Sequence, residues 1–242
     1  MRTNKPIDIE EEKIKRFYSD RSKKYSVNNP YGTTLFQDNH PELVELRNAS
    51  EITKIIPLLN LTEESKILDV GCGMGRYADA IRDSGVRISD YCGLDFSEEL
   101  IDIAKERHSN NSYNFLVGGV TDISELLNDK YNRVIMMGVA IYLNEHVLFE
   151  GIKQIAGVCA EKAIVVFREA IGLNERLTLK DFYSDELQTE YNAIYRTENE
   201  LMCIYEQTLV KEGFKLFESG PLFEDKLNNR NETRQWYYVF RR

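Results

Sequence analysis

Residues 66–77 constrain this chain more than any other stretch. Their sequence, KILDVGCGMGRY, places a short apolar run before glycines at 71, 73 and 75, and a helical pattern follows. This order predicts a strand, a tight turn and a helix. Without Cβ atoms the turn can approach a ligand closely, and the helix N-terminus offers unpaired N–H groups. The stretch therefore predicts a nucleotide-type binding site.

The spacing of the glycines narrows the choice of ligand. A dinucleotide fingerprint, G-x-G-x-x-G, would require glycine where this chain has Arg76 or Ala78. The stretch also lacks the phosphate-loop pattern G-x-x-x-x-G-K-[ST]. A nicotinamide-dependent oxidoreductase is therefore disfavoured.

The pattern Asp69-x-Gly71-x-Gly73-x-Gly75 resembles motif I of the class I S-adenosylmethionine-dependent methyltransferases of the small-molecule type. The resemblance runs from about residue 61 to the C-terminus and is strongest through Asp95. It implies an α/β fold with a Rossmann-like, doubly wound, mostly parallel sheet and an antiparallel C-terminal edge strand. It also implies S-adenosylmethionine as cofactor, and a methyltransferase core at 61–242 preceded by an N-terminal helical cap or lid at 1–60.

An acidic residue closes the second predicted strand. Asp95 lies 20 residues after Gly75, the distance at which nucleotide-binding βαβ units place the acid that accepts the ribose hydroxyls. Ser97 is available to cap the next helix, which leaves the Asp95 carboxylate for a ligand. We predict that Asp95 and the adjacent Phe96 contact the cofactor.

The adenine end of the predicted site departs from the family pattern. The third strand leads into Gly119-Val120-Thr121-Asp122, and the resemblance implies an acid at the position of Gly119. We expect Val120, Thr121 and Asp122 to supply cofactor contacts here. Asp122 is equally suited to cap the helix that follows.

Aromatic residues mark the first predicted helix. Phe17, Tyr18, Arg21 and Tyr25 follow Ile14 at three- and four-residue steps, which predicts one aromatic helix face. One interpretation is a helix packed on the core. The other, implied by the resemblance, is a lid that brings Tyr18 and Tyr25 to the cofactor.

Candidate catalytic residues follow the fourth and fifth predicted strands. Open α/β sheets bind ligands at the carboxyl ends of their strands. Tyr142 and His146 come after the end of the fourth predicted strand, and Arg168 and Glu169 come after the end of the fifth. We predict Tyr142 as a pocket wall, with Glu169 and His146 as catalytic candidates. His146 equally fits helix capping or exposure.

The polar insertion at 171–196 lies where substrate specificity is expected. It ends at Tyr195 and Arg196, which together with Arg168 form the predicted substrate-binding set. Arg47, on the helix before the glycine turn, is either a solvated charge or a guanidinium that grips a carboxylate.

Two kinds of acceptor remain open. A neutral amine attacks a methyl group with its own lone pair, whereas a hydroxyl must lose its proton to a base. The acids Glu169, Asp185 and Glu198 favour an amine or guanidine nitrogen on a small polar metabolite. A sugar or other hydroxyl, with His146 or Glu169 as base, is the alternative. A non-catalytic protein that binds S-adenosylmethionine is a hypothesis from another class.

Composition limits other functions. Four cysteines without C-x-x-C spacing and three scattered histidines give no metal-ligand pattern. A net charge of −9 argues against a broad nucleic-acid-binding face, and no apolar run approaches the roughly 20 residues of a membrane span. We expect a cytoplasmic protein, monomeric or homodimeric, that uses no metal and binds neither nucleic acid nor membrane.

Overall fold

The computed structural model describes residues 1–35, 41–109, 113–224, 227–228 and 230–242. In chain order the elements are β1 (Arg2–Thr3), α1 (Glu11–Ser22), α2 (Gly32–Leu35), α3 (Pro41–Leu58), β2 (Lys66–Val70), α4 (Arg76–Asp83), β3 (Asp90–Asp95), α5 (Glu98–Arg107), β4 (Asn114–Val117), α6 (Ile123–Leu126), β5 (Tyr131–Met137), a 3₁₀ helix (Ala140–Tyr142), α7 (Glu145–Val158), β6 (Cys159–Gly172), β7 (Leu177–Ser184), β8 (Thr189–Tyr195), α8 (Glu198–Tyr205), a π-helix (Glu206–Val210), β9 (Lys215–Pro221) and β10 (Thr233–Arg241).

Seven strands form the main sheet in the order β4-β3-β2-β5-β6-β10-β9. The first five of these strands are parallel to one another, and β10 runs antiparallel to both β6 and β9. The predicted Rossmann-like sheet is confirmed, with the antiparallel strand lying one position inside the edge strand β9. Chain order reverses between β2 and β5, which opens a crevice at their carboxyl ends.

Alternate side chains of the central strands face two helical layers. Leu68 and Val134 pack with residues of α7 and α8 on one face. Ile135 and Val166 pack with residues of α3 and α4 on the other face. Burial on both faces explains why these strands read as nearly unbroken apolar runs.

A second, antiparallel sheet has the order β1-β7-β8. Its β7–β8 hairpin is the insertion expected at 171–196, and the two ends of the insertion meet where Gly172 bridges Thr197. Phe17 and Ile14 of α1 pack against Leu179 and Tyr191 of the hairpin. Helix α1 and this sheet together form a cap, made from residues far apart in sequence.

Helix α3 packs with the core although it falls within the predicted 1–60 cap. Ile55 and Leu59 are fully buried in a cluster with Ile135 and Val166 of the sheet. The cap that the structure describes is therefore residues 1–35 together with β7 and β8.

The fourth predicted strand does not continue beyond Gly138. Gly138 has a φ of 75°, in the left-handed region that favours glycine, and its N–H donates to the Arg168 carbonyl at 2.6 Å. The chain turns there and forms the 3₁₀ helix Ala140–Tyr142. Within the described ranges, none of the helices has the length and apolar character needed to cross a bilayer.

Candidate functional site

A cavity of about 340 Å³ lies at the crevice of the main sheet and under the cap. Gly71, Phe96, Gly118 and Gly138, which directly follow β2, β3, β4 and β5, all contribute to its lining. The cavity therefore occupies the position at which open α/β sheets bind ligands.

The glycine turn forms one wall. Gly71, Gly73 and Gly75 have φ values of 73°, 54° and 85°, which residues with a Cβ adopt only at a cost. A Cβ at Gly71 would also collide with Cγ2 of Val139. Gly71 and Gly73 line the cavity, whereas Gly75 lies outside the lining and caps α4.

Asp95 joins the glycine turn to the end of β3. Its Oδ2 accepts the Gly73 N–H at 2.9 Å, and its Oδ1 accepts the Ser97 N–H at 2.9 Å. Burial raises the pKa of the Asp95 carboxyl to about 6, although both N–H donors oppose the rise. Asp95 lines the cavity, and each carboxylate oxygen keeps acceptor capacity for a ligand hydroxyl.

Asp69 also lines the cavity from the end of β2. The Tyr91 hydroxyl donates to its Oδ2 at 2.7 Å, and burial raises the pKa of Asp69 to about 7. The two buried carboxyls make this end of the cavity acidic.

In the segment after β4, some residues line the cavity and one closes a turn. Val120 and Thr121 line the cavity, as does Phe96 after β3. Asp122 lies outside the lining because its Oδ2 accepts the Gly119 N–H at 2.8 Å. Asp122 therefore closes the turn, and its assignment as a cofactor contact stays a prediction.

Aromatic residues of the cap form a second wall. Tyr18 of α1 makes edge contacts with Phe96 and Tyr142, with ring centroids 5.7 and 5.3 Å apart. The Tyr142 and Tyr191 hydroxyls are hydrogen-bonded at 2.9 Å. Burial raises the pKa of Tyr142 and of Tyr191 well above the ordinary value, so both hydroxyls stay protonated at neutral pH.

Tyr25 does not accompany Tyr18 into the cavity. Its hydroxyl accepts the Arg107 Nη1–H at 3.1 Å, and Tyr25 is absent from the lining that the described residues form. Tyr25 links the segment after α1 to α5, and its assignment to the cofactor stays a prediction.

Glu169 and Arg196 lie behind the cavity wall. The buried Glu169 accepts the N–H groups of Val139 and Ala140 at 3.2 and 3.1 Å. Arg196 donates to the carbonyls of Ala140 and Leu143 at 2.7 and 2.6 Å. Neither residue is in the lining that the described residues form. Both hold the segment after β5, and the expectation that they face the acceptor stays a prediction.

Burial raises the pKa of Glu169 to about 7, against the lowering effect of the Ala140 N–H. His146 is exposed in the first turn of α7. It too lies outside the described lining, and its assignment as a catalytic candidate stays a prediction.

Arg168 and Arg47 also line the cavity. Nε and Nη2 of Arg168 each lie 3.2 Å from Glu51 Oε1, which also accepts Arg76 Nη2–H at 2.6 Å. Burial opposes ionisation of Glu51, but the charges of Arg168 and Arg76 lower its pKa to about 2. Gly138 makes room for this arrangement, since a Cβ there would lie 2.5 Å from Arg168 Nη1.

Several lining residues carry no sequence signal of their own. Thr233 and Gln235 belong to β10, where Gln235 pairs with Ala170 of β6. Only the strand order brings them to the crevice. The other lining residues that the sequence analysis did not single out include Thr34, Leu35, Leu100, Leu187 and Arg230.

The described residues fit S-adenosylmethionine. The glycine turn is a cradle in which a Cβ at position 71 would clash, and Asp95 presents a buried acceptor beside it. Phe96, Val120 and Leu100 give apolar surface for a flat ring. Across the described chain, no group of three or more His, Cys, Asp or Glu side chains is arranged to hold a metal ion.

Comparisons with known proteins agree with this fit. The family model described as "Methyltransferase domain" matches residues 67–162, and no curated protein matches the chain in sequence. Phosphoethanolamine N-methyltransferase 1 from Haemonchus contortus superimposes with a TM-score of 0.71 at 16% identity, covering 96% of this chain and 48% of that chain. This chain thus spans about half the length of that enzyme.

Two further structures superimpose at similar identity. Magnesium protoporphyrin IX methyltransferase from Synechocystis PCC 6803, with bound S-adenosylmethionine, gives a TM-score of 0.62 at 17% identity, covering 99% of this chain and 100% of that chain. A S-adenosylmethionine-dependent methyltransferase from Leishmania major gives 0.62 at 13%, covering 92% and 82%. At these identities the structures establish the fold alone.

The family match covers the segment that carries the glycine turn and Asp95. Residues 67–162 are therefore a methyltransferase domain, the chain has the fold of class I methyltransferases, and the described site fits S-adenosylmethionine as cofactor. The matched residues end at 162, before Arg168, the β7–β8 hairpin and β10.

Proposed function

We propose that this enzyme methylates a nitrogen atom of a small polar acceptor. The observation that carries the proposal is the aromatic wall of Tyr18, Tyr142 and Tyr191: burial keeps the Tyr142 and Tyr191 hydroxyls protonated, so this wall can orient an amine and offers no base to a hydroxyl. A neutral amine needs no base to attack, whereas a hydroxyl does.

The cofactor occupies the glycine-turn end in this proposal. Asp95 accepts the ribose hydroxyls, while Phe96 and Val120 cover the adenine. When bound, S-adenosylmethionine supplies a methyl group on a sulfonium, which is already a good leaving group. The protein contributes chiefly alignment and exclusion of water, under the lid formed by α1.

Tyr18, Tyr142 and Tyr191 orient the acceptor. The hydroxyl of Tyr142 accepts a hydrogen bond from an N–H of the neutral amine, which points the nitrogen lone pair at the methyl group. The ring faces stabilise the positive charge that develops on the nitrogen as the N–C bond forms and the C–S bond breaks, and the methylated nitrogen then loses its proton to solvent. The acids expected to hold the acceptor lie elsewhere, because Glu169, Asp185 and Glu198 are absent from the described lining. The lining acids outside the glycine-turn end are Glu11 and Glu186, and both are exposed.

Product analysis tests the proposal. The full chain is incubated with S-adenosylmethionine and matched amine, guanidine and sugar acceptors, and the methylated position is located by fragmentation mass spectrometry. We expect methyl groups on nitrogen, with one S-adenosylhomocysteine formed per product. Turnover of hydroxyl acceptors with the methyl on oxygen would overturn the nitrogen assignment, and Asp95→Ala serves as the control with impaired cofactor binding.

A further inference from the structure

We propose that the acceptor carries an anionic group, a carboxylate or a phosphate, and that Arg47, Arg168 and Arg230 hold it on the β6–β10 side of the cavity. The inference rests on the proposed function and specifies its substrate class. The acceptor would be a small amine with an anion at its other end.

The strand order separates the two ends of the cavity. The glycine turn and Asp95 follow β2 and β3, whereas Arg168 lies on β6 and Gln235 on β10. From β2 to β6 is two strand spacings and to β10 is three, which is roughly 10–14 Å. The backbones of Arg168 and Gln235 therefore lie beyond the strands that carry the glycine turn and Asp95, and the Arg168 guanidinium reaches back to Gly138 at the end of β5.

Arg47 and Arg230 have no anionic partner within ion-pair distance among the described residues. Arg47 is 9% exposed, and its Nε and Nη2 donate to the neutral Leu227 carbonyl at 3.0 and 2.7 Å. Arg230 donates to the Tyr195 hydroxyl at 3.3 Å, with its guanidinium carbon 5.7 Å from the Tyr195 ring centroid. Both guanidinium groups keep donors for a ligand, since each has five N–H groups in a fixed fork.

The charge balance leaves this end of the cavity positive. Glu51 is shared by Arg76 and Arg168, so one carboxylate serves two guanidinium groups. Burial lowers the pKa of Arg47, and the only opposing influence is Glu186, which is exposed at the rim. Arginine nevertheless stays charged at neutral pH.

An anionic ligand is the partner that this arrangement lacks. Buried charges are costly unless they are paired, and the planar guanidinium fork matches carboxylate and phosphate oxygens. Thr233 and Gln235 add neutral hydrogen-bonding groups to the same wall. The tyrosine group would then hold the nitrogen and the arginine group the anion of one molecule.

Calorimetry with paired probes tests this inference. Phosphoethanolamine is compared with ethanolamine, and β-alanine with propylamine, on the full chain saturated with S-adenosylhomocysteine. We expect only the anionic member of a pair to bind, with an affinity that falls as salt is added. Binding of phosphoethanolamine indicates a site for phosphate, and binding of β-alanine indicates a site for carboxylate.

Variants locate the binding group. Arg230→Gln and Arg47→Gln should each lower the affinity for the anionic probe by about tenfold or more. The affinity for S-adenosylhomocysteine should stay within about twofold of that of the unmodified protein. Arg87→Gln is the matched control, because Arg87 is exposed in the loop before β3, at the opposite edge of the sheet. If Arg47→Gln does not fold, as circular dichroism would show, the half-buried Arg230 decides the question.

Three results would overturn the inference: equal binding by the neutral probes, no saturable binding by either anionic probe, or an equal loss of S-adenosylhomocysteine affinity in the arginine variants. The last result would mean that the arginines hold the cofactor. Failure of the nitrogen assignment is distinguishable, because an anionic acceptor methylated on oxygen would overturn that assignment and leave the anion site standing.

Discussion

The two ends of the cavity are built in different ways. The cofactor end comes from the consecutive β-strand and loop segments between Asp69 and Thr121, and its key contact joins Asp95 to the Gly73 N–H. The acceptor end draws on α1, α3, β6, the β7–β8 hairpin and the segment before β10. The proposed cofactor end is thus built by a local motif, whereas the proposed acceptor end is built by tertiary structure.

The electrostatics of the two ends differ as well. Asp69 and Asp95 are buried carboxyls whose pKa values burial raises to about 7 and about 6. Arg47, Arg168 and Arg230 give the other end a positive charge. A ligand with opposite charges at its two ends would be oriented before any close contact forms.

The largest effect we expect comes from deletion of residues 1–26. The clusters of the main sheet contain no residue of this segment, so the core should still unfold cooperatively in urea. Turnover should fall by about a hundredfold or more, because the reacting groups lose their alignment and water enters. Full activity of the truncated enzyme would show that α1 is not a lid.

The cofactor end is tested by Asp95→Ala. S-adenosylhomocysteine affinity should fall at least tenfold, about 1.4 kcal/mol or more, as measured by calorimetry. Since the ribose hydroxyls donate to the ionised carboxylate, affinity for the unmodified protein should be constant above pH 7 and fall as pH drops through about 6. Asp95→Asn should abolish this pH dependence, and unchanged affinity in Asp95→Ala would contradict the ribose assignment.

The smallest effect on turnover is expected at Glu169→Gln. The amide oxygen can still accept the Val139 and Ala140 N–H groups, so turnover should change less than about threefold. A large loss of acceptor use with cofactor affinity intact would instead place Glu169 in the acceptor site.

The same variant should change how stability depends on pH. The pKa of Glu169 is raised from 4.5 to about 7 in the folded protein. Protonation of this carboxyl therefore stabilises the folded state fully below pH 4.5, and this contribution to the free energy of unfolding is lost as pH rises through 7. The free energy of unfolding of Glu169→Gln, relative to the unmodified protein, should therefore rise between pH 5 and pH 8 by at most about 3 kcal/mol. Urea titrations at both pH values measure it, and a flat difference would contradict the raised pKa.

The predictable parts of the molecule are those encoded locally. Strand periodicity and the spacing of Gly71, Gly73 and Asp95 predicted the sheet and the cofactor end, because each signal lies within a few residues of the structure that it specifies. Tyr18, Tyr142 and Tyr195 also line the cavity. Helix periodicity had pointed to Tyr18, the end of a predicted strand to Tyr142, and the end of the polar insertion to Tyr195.

The unpredictable parts depend on distant segments. Glu169 lies late in a buried strand, where an acid that faces a ligand is expected. After the turn at Gly138, however, the N–H groups of Val139 and Ala140 donate to its carboxylate. Gln235 reaches the cavity only because β10 inserts between β6 and β9. Neither partner lies near enough in sequence to leave a pattern.

The bridge between Gly172 and Thr197 joins the two ends of the β7–β8 hairpin. The Gly172 N–H donates to the Arg196 carbonyl at 2.9 Å, so the hairpin leaves and rejoins the core at adjacent points. A segment with neighbouring ends can be lengthened or exchanged at little cost in loop-closure entropy. The hairpin can therefore vary in length and sequence without a change in residues 66–95, where we propose that the methyl donor binds.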